Sequence, residues 1–163
     1  MDSQAFTLFH VIISLAGIGF GAIAVYGLLS SKLWGGVTLL FLATTALTSL
    51  TGFFFHREHI LPSHIVGAIS LLVLALTALG LYTFGLRGGW RVAFVVGATI
   101  SLYFNVFVLV AQAFQKIPSL HALAPKGSEP PFAVAQIVVL LVFVAIGVTA
   151  VRRFRPIGAA PAA

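Results

Sequence analysis

Along the chain, long apolar runs alternate with short polar joints, and no run shows the strict alternation of a half-buried strand. Five runs stand out, at about residues 6–30, 34–55, 64–84, 90–114 and 132–151. Each is long enough to cross roughly 30 Å of hydrocarbon at about 1.5 Å per residue. Lipid cannot satisfy exposed backbone N–H and C=O groups, so runs without barrel-type alternation have to be helical. The joints carry matching punctuation at Ser30-Ser31, Pro62-Ser63, Gly88-Gly89 and Pro130-Pro131. Ser63 is positioned to cap the third helix after its proline, and Pro130-Pro131 to open the fifth. In the longest loop, residues 115–131, Lys116–His121 echoes Ile60–His64, an echo that a Pro-Ser pair starting a turn of helix would account for and that is too short to be an internal repeat. The pattern predicts an all-α integral membrane protein, a compact bundle of five transmembrane helices. It forms a single domain over residues 1–155, with a disordered tail at 156–163.

Composition strengthens this reading. Of the 163 residues, 60% are hydrophobic and only 7% charged, with a mean hydropathy of +1.14. A soluble domain carries about a quarter charged residues, so too little polar surface exists to coat a globule in water. The absence of cysteine excludes disulfides, iron–sulfur clusters and thiolate metal sites, and the only methionine is Met1. The N-terminal Met1-Asp2-Ser3-Gln4 has neither a basic region nor a cleavage site, so the first span is expected to be retained.

The net charge of +6 sits in the joints, which points to membrane topology and not to a nucleic-acid partner. Five spans put Lys32, Arg87, Arg91, Arg152, Arg153 and Arg155 on one face. Arg57, Lys116 and Lys126 share the other with Asp2, Glu58 and Glu129. By the positive-inside rule the N-terminus is outside and the C-terminus cytoplasmic, in a bacterial-type inner (plasma) membrane. Tyr26, Trp34, Tyr82 and Trp90 then form an aromatic belt near the cytoplasmic ends.

With this topology all five histidines, His10, His56, His59, His64 and His121, fall on the outer side, three of them within residues 53–64. Helical phase relates them to polar stripes. His10, Ser14, Gly17 and Gly21 share one face of the first span, and Thr45, Ser49, Gly52 and His56 one face of the second. His64, Gly67, Ala68, Leu71 and Ala75 make a small-residue face on the third; Ser101, Asn105, Val108 and Gln112 line the fourth. Polar and small residues turn away from acyl chains, so all four stripes are expected to face inward. Ordinary helix packing accounts for the Gly, Ser and Thr members; Asn105 and Gln112 are costlier to bury and are the better candidates for a site. Tyr103, deep in the fourth span, requires a partner for its hydroxyl or a wet cavity.

Neutral imidazole is the commonest protein ligand for Zn, Cu and haem iron. The candidate metal set is His56, His59 and His64, with Glu58 as an outer-shell partner and His121 able to fold back. The candidate haem b or cofactor set is His10 with His64 (or, second, His10 with His56), above Asn105 and Gln112, in a Phe-rich setting that suits a porphyrin or quinone. Four-helix membrane bundles with paired histidines look like b-type cytochromes in outline; the likeness here covers architecture and histidine number, no motif carries it, and no family is assigned.

No charged residue lies in the middle of a span, which argues against an ion-coupled carrier. No phosphate loop, carboxylate pair or Ser-His-Asp set is present, and no catalytic residue is assigned. The leading expectation is a redox or metal-handling membrane protein holding haem b or a divalent metal ion (Zn, Cu or Fe) and, if an enzyme, a membrane oxidoreductase. The alternatives are a non-catalytic accessory or assembly subunit of a larger membrane complex, or a pH-responsive channel or small-solute facilitator. The expected partners are the bilayer and either a larger complex or further copies of the chain.

Overall fold

In the computed structural model, residues 4–55 and 62–156 are described, and they contain helices and joints but no strand. His56, Arg57, Glu58 and His59 lie outside the described residues, as does the expected tail from residue 157. The helices are α1 (Gln4–Leu29), α2 (Gly35–Gly52), α3 (Pro62–Ala78), α4 (Gly89–Lys116), α5 (Pro118–Leu123) and α6 (Pro130–Arg153). Five are long and apolar enough to cross a membrane, α3 together with the turn that follows it. That is the signature of a membrane protein.

The boundaries differ from the expected ones in ways that have local causes. Helix α2 stops at Gly52, three residues early, because the Phe53 and Phe54 N–H groups turn back to Leu50 O and Thr51 O at 3.1 Å each. Pro62 takes the first turn of α3, so Ser63 lies inside the helix and is not its cap. Pro118 opens the short helix α5, within the longest loop, and Pro130-Pro131 open α6 as expected. Helix α3 widens into a π-type turn at Leu79–Thr83, where Phe84 N–H donates to Leu79 O at 3.0 Å.

Helix α1 packs along α2 and also touches α4 and α6, while α3 and α6 flank α4. The buried core, including Val25, Leu28, Phe41, Phe94, Val95 and Phe154, gathers toward the end where α1 turns into α2 and α6 finishes. Close approach there depends on two glycines. A Cβ on Gly21 would come within 2.7 Å of Phe41 and Leu102, and one on Gly97 would overlap the Thr77 hydroxyl. Without a hydrophobic force between helices in lipid, such small-residue contacts supply the dispersion energy that holds them.

The same end is tied by Arg91. Its Nη1 donates to Val151 O at 2.9 Å and Phe154 O at 2.8 Å, closing off carbonyls at the C-terminus of α6. The Arg155 N–H donates to Ser31 Oγ at 2.8 Å, joining the C-terminal segment to the α1–α2 turn.

The inward stripes hold for α1 and α2: Gly17, Gly21 and Thr45 are buried, and Ser14, Ser49 and Gly52 half-buried. On α3 the inward face is Ser70, Leu74 and Thr77, whereas Ala68 and Ala75 are exposed. Nearly every side chain of that helix is apolar, so small size alone gave no direction; contact of Thr77 with Gly97 decided it.

Candidate functional site

The most polar part of the interior begins where α1 starts and α2 ends. His10 projects from α1 toward the last turn of α2, and its Nδ1 lies 2.7 Å from Thr51 Oγ1. Thr51 bonds back along its own helix, its hydroxyl donating to Leu47 O at 2.7 Å. With the Thr51 hydroxyl donating to its own helix, Oγ1 is placed to accept from His10 Nδ1–H, the tautomer that carries its lone pair on Nε2. Phe55 meets the imidazole edge-on, with centroids 5.0 Å apart, and Phe6 in turn lies 5.1 Å from Phe55. One oriented imidazole, backed by aromatic rings, is the best-defined chemical group of the site.

Below it runs a polar seam. Ser14 donates to His10 O at 2.6 Å, and one turn deeper Gly17 sits against Thr44, Thr45 and Asn105. Asn105 donates from Nδ2 to Thr45 Oγ1 at 3.0 Å, so it lies on the seam as the sequence predicts. Ser49 and Ser70 join α2 to α3 at 3.2 Å. Three buried polar atoms, Thr48 Oγ1, Ser101 Oγ and Gln136 Oε1, have no hydrogen-bond partner among the described residues.

The other predicted residues separate. His64 stacks on Phe53, centroids 5.8 Å apart and 17° between planes, so it flanks the end of α2 by a different ring from His10. His121 is exposed on α5. Gln112 is exposed on α4, close enough to the helix end to reach a polar environment, and does not line the interior. Tyr103 sits among Phe104, Phe107 and Phe143, with centroids 5.7, 6.0 and 5.7 Å away, in an apolar groove of about 240 Å³ between α4 and α6. Of the metal set, His56, His59 and Glu58 lie outside the described residues. Among those described, no three His, Asp or Glu side chains gather as metal ligands.

Three participants escaped the sequence reading. Thr51 looks like any span threonine, and its role appears only when α1 and α2 meet. Gln136, whose Nε2 donates to Phe107 O at 3.1 Å, had a visible signal as the one amide in the most apolar span. Arg91 was read as a topology charge only.

In the α5–α6 loop, Glu129 accepts from the Lys126 and Ser128 N–H groups at 3.0 Å each. Desolvation alone would raise its carboxyl, but these donors and the Lys126 charge outweigh it and hold the group below the ordinary carboxylate range. Comparison with protein families, with curated proteins and with solved structures gives no match.

Proposed function

We propose that the protein is a small membrane redox or metal-handling protein in which His10 is a ligand to haem b or to a divalent metal ion (Zn, Cu or Fe). One observation carries the reading: Nδ1 is held at 2.7 Å by Thr51, whose own proton is committed to Leu47. Metal-bound histidines commonly give their second ring N–H to an oxygen acceptor, which fixes the tautomer and raises the basicity of the ligating nitrogen. A bound iron or copper would supply one-electron chemistry, and zinc a Lewis acid. The chain's own residues keep Nε2 unprotonated, orient the ring against Phe55, and keep polar groups beneath it. By the distribution of lysine and arginine, the histidine end faces outward and the basic end the cytoplasm.

The visible spectrum of detergent-purified protein, with metal analysis, tests it. A Soret band or one equivalent of metal is expected, lost in His10→Ala and retained in His121→Ala. A colourless, metal-free protein purified from haem- and metal-replete cells would sink the reading.

A second reading, an accessory subunit of a larger membrane complex, is favoured by α6. Only 11% of its most apolar window is buried, and it exposes Val134, Ile137, Val138 and Leu141 along its outer side. Purification in mild detergent separates the two, since this role requires a stoichiometric partner.

A further inference from the structure

The end of the bundle away from His10 carries Lys32, Arg87, Arg91, Arg152, Arg153 and Arg155. The only carboxylate among the described residues, Glu129, belongs to the α5–α6 loop at the other end. Among the described residues, the basic end is therefore uncompensated. Arg91 is committed to the carbonyls of α6, whereas the exposed Arg87 side chain makes no hydrogen bond among the described residues.

Arg87 borders a depression of about 430 Å³, largely polar, whose wall includes Tyr82, Thr83, Phe84, Gly85 and Trp90. The wall is rigid. Phe84 and Trp90 stack with centroids 4.0 Å apart and 6° between planes. Leu86 adopts a positive φ of 60°, unusual for a non-glycine residue; its side chain is buried in the core and its N–H reaches Gly80 O at 2.9 Å. The turn preceding α4, which carries Arg87, is thus anchored from below. Tyr82 and Trp90 are the residue types that settle at headgroup depth.

We propose that this cup seats the phosphate of an anionic phospholipid, with the Arg87 guanidinium on the phosphate oxygens and the Tyr82, Phe84 and Trp90 rings along the glycerol region. The inference goes beyond any role of His10 and rests on the five long helices being membrane spans. Three features favour a lipid headgroup: the net positive end, a cleft within the usual size range of small-molecule sites, and an aromatic rim beside an arginine fork able to take two oxygens.

Native mass spectrometry of the full chain, offered equal phosphatidylglycerol and phosphatidylcholine of matched acyl chains, tests the proposal. One phosphatidylglycerol is expected to be retained preferentially. Arg87→Gln should lower the occupancy ratio about ten-fold, as for loss of one charge-assisted contact, and Arg153→Gln by less than about two-fold. Arg87→Lys keeps the charge without the fork; an intermediate loss of about three-fold is expected, and it guards against a misfolded Arg87→Gln. Equal losses in Arg87→Gln and Arg153→Gln would reveal diffuse attraction and overturn the cup, as would equal retention of both lipids by the unmodified chain. Displacement of the lipid by millimolar inorganic phosphate would make the cup a soluble-anion site and also overturn the proposal. None of these outcomes bears on the spectrum expected from His10.

Discussion

The two ends of the bundle are built on different principles. At the basic end, Phe94 and Phe154 lie 6.1 Å apart in a buried cluster, Gly97 meets Thr77, and Arg91 ties α4 to the end of α6. At the histidine end Phe114 packs on Phe132, and the contacts around His10 lie nearer the surface: His10 to Thr51, Ser49 to Ser70, the exposed Phe53 against His64. A Cβ added at Gly97 has nowhere to go, whereas one added at Gly52 would find the His10 ring at an ordinary 3.9 Å. The difference teaches how each end is held. Close backbone approach and cation-to-carbonyl bonds hold one end together, and the other is joined by polar contacts around His10.

The sharpest way to break this contrast is to add volume at both ends. Gly97→Val should cost about 3 kcal/mol or more through overpacking and sharply reduce the yield of monodisperse protein. Gly52→Ala should change the thermal midpoint little, because its new methyl meets only van der Waals contact. If both substitutions were tolerated alike, the two ends would not differ in tightness.

Removing the tie at the basic end comes next. Arg91→Met deletes two hydrogen bonds from a charged donor and should cost about 2 kcal/mol, read as a lower unfolding midpoint in detergent. Hydrogen exchange should speed up at the end of α6 and remain unchanged around His10.

At the histidine end the expected effect on stability is smaller and the effect on chemistry larger. Thr51→Val should cost only about 1 kcal/mol but release Nδ1, and imidazole ¹⁵N shifts should then show His10 sampling both tautomers. Thr51→Ser should restore the unmodified pattern. An unchanged ¹⁵N spectrum in Thr51→Val would remove the tautomer argument.

The smallest effect concerns the α5–α6 loop. Glu129 has a folded pKa below its ordinary value of 4.5, so its contribution is present above the unfolded pKa and is lost as pH falls through the folded one. Amide exchange at Lys126 and Ser128, compared with the unstructured-chain rate at each pH, should lose protection in acid below the usual glutamate range. Glu129→Gln should lessen that protection already at neutral pH, and the bundle itself should be indifferent to either change.

Much of this arrangement could be read along the chain, and its gaps have physical causes. The stripes on α1 and α2 point inward because their polar members contrast with apolar neighbours. The α3 stripe was chosen by size within an almost wholly apolar helix, and it came out rotated, with Ser70 and Thr77 inside and Ala68 outside. Gln112 was expected on the seam with Asn105, yet it lies within a turn or so of the end of α4, where an amide need not be buried. Of the two amides, only Asn105 reaches a cross-helix partner among the described residues.

Sequence alone determined the number of long apolar helices and the gathering of six of the nine cations in alternate joints, because the cost of lipid-exposed backbone and the charge of the joints are local properties. Tertiary structure decided which of those groups meet. That His10 finds Thr51, that Thr77 settles on Gly97, and that Arg91 leaves the set of surface charges to cap α6 depend on how one helix is rotated against another. In a chain so uniformly apolar, that rotation is set by the fit of a few small and polar residues on facing helices, and no single helix carries the information.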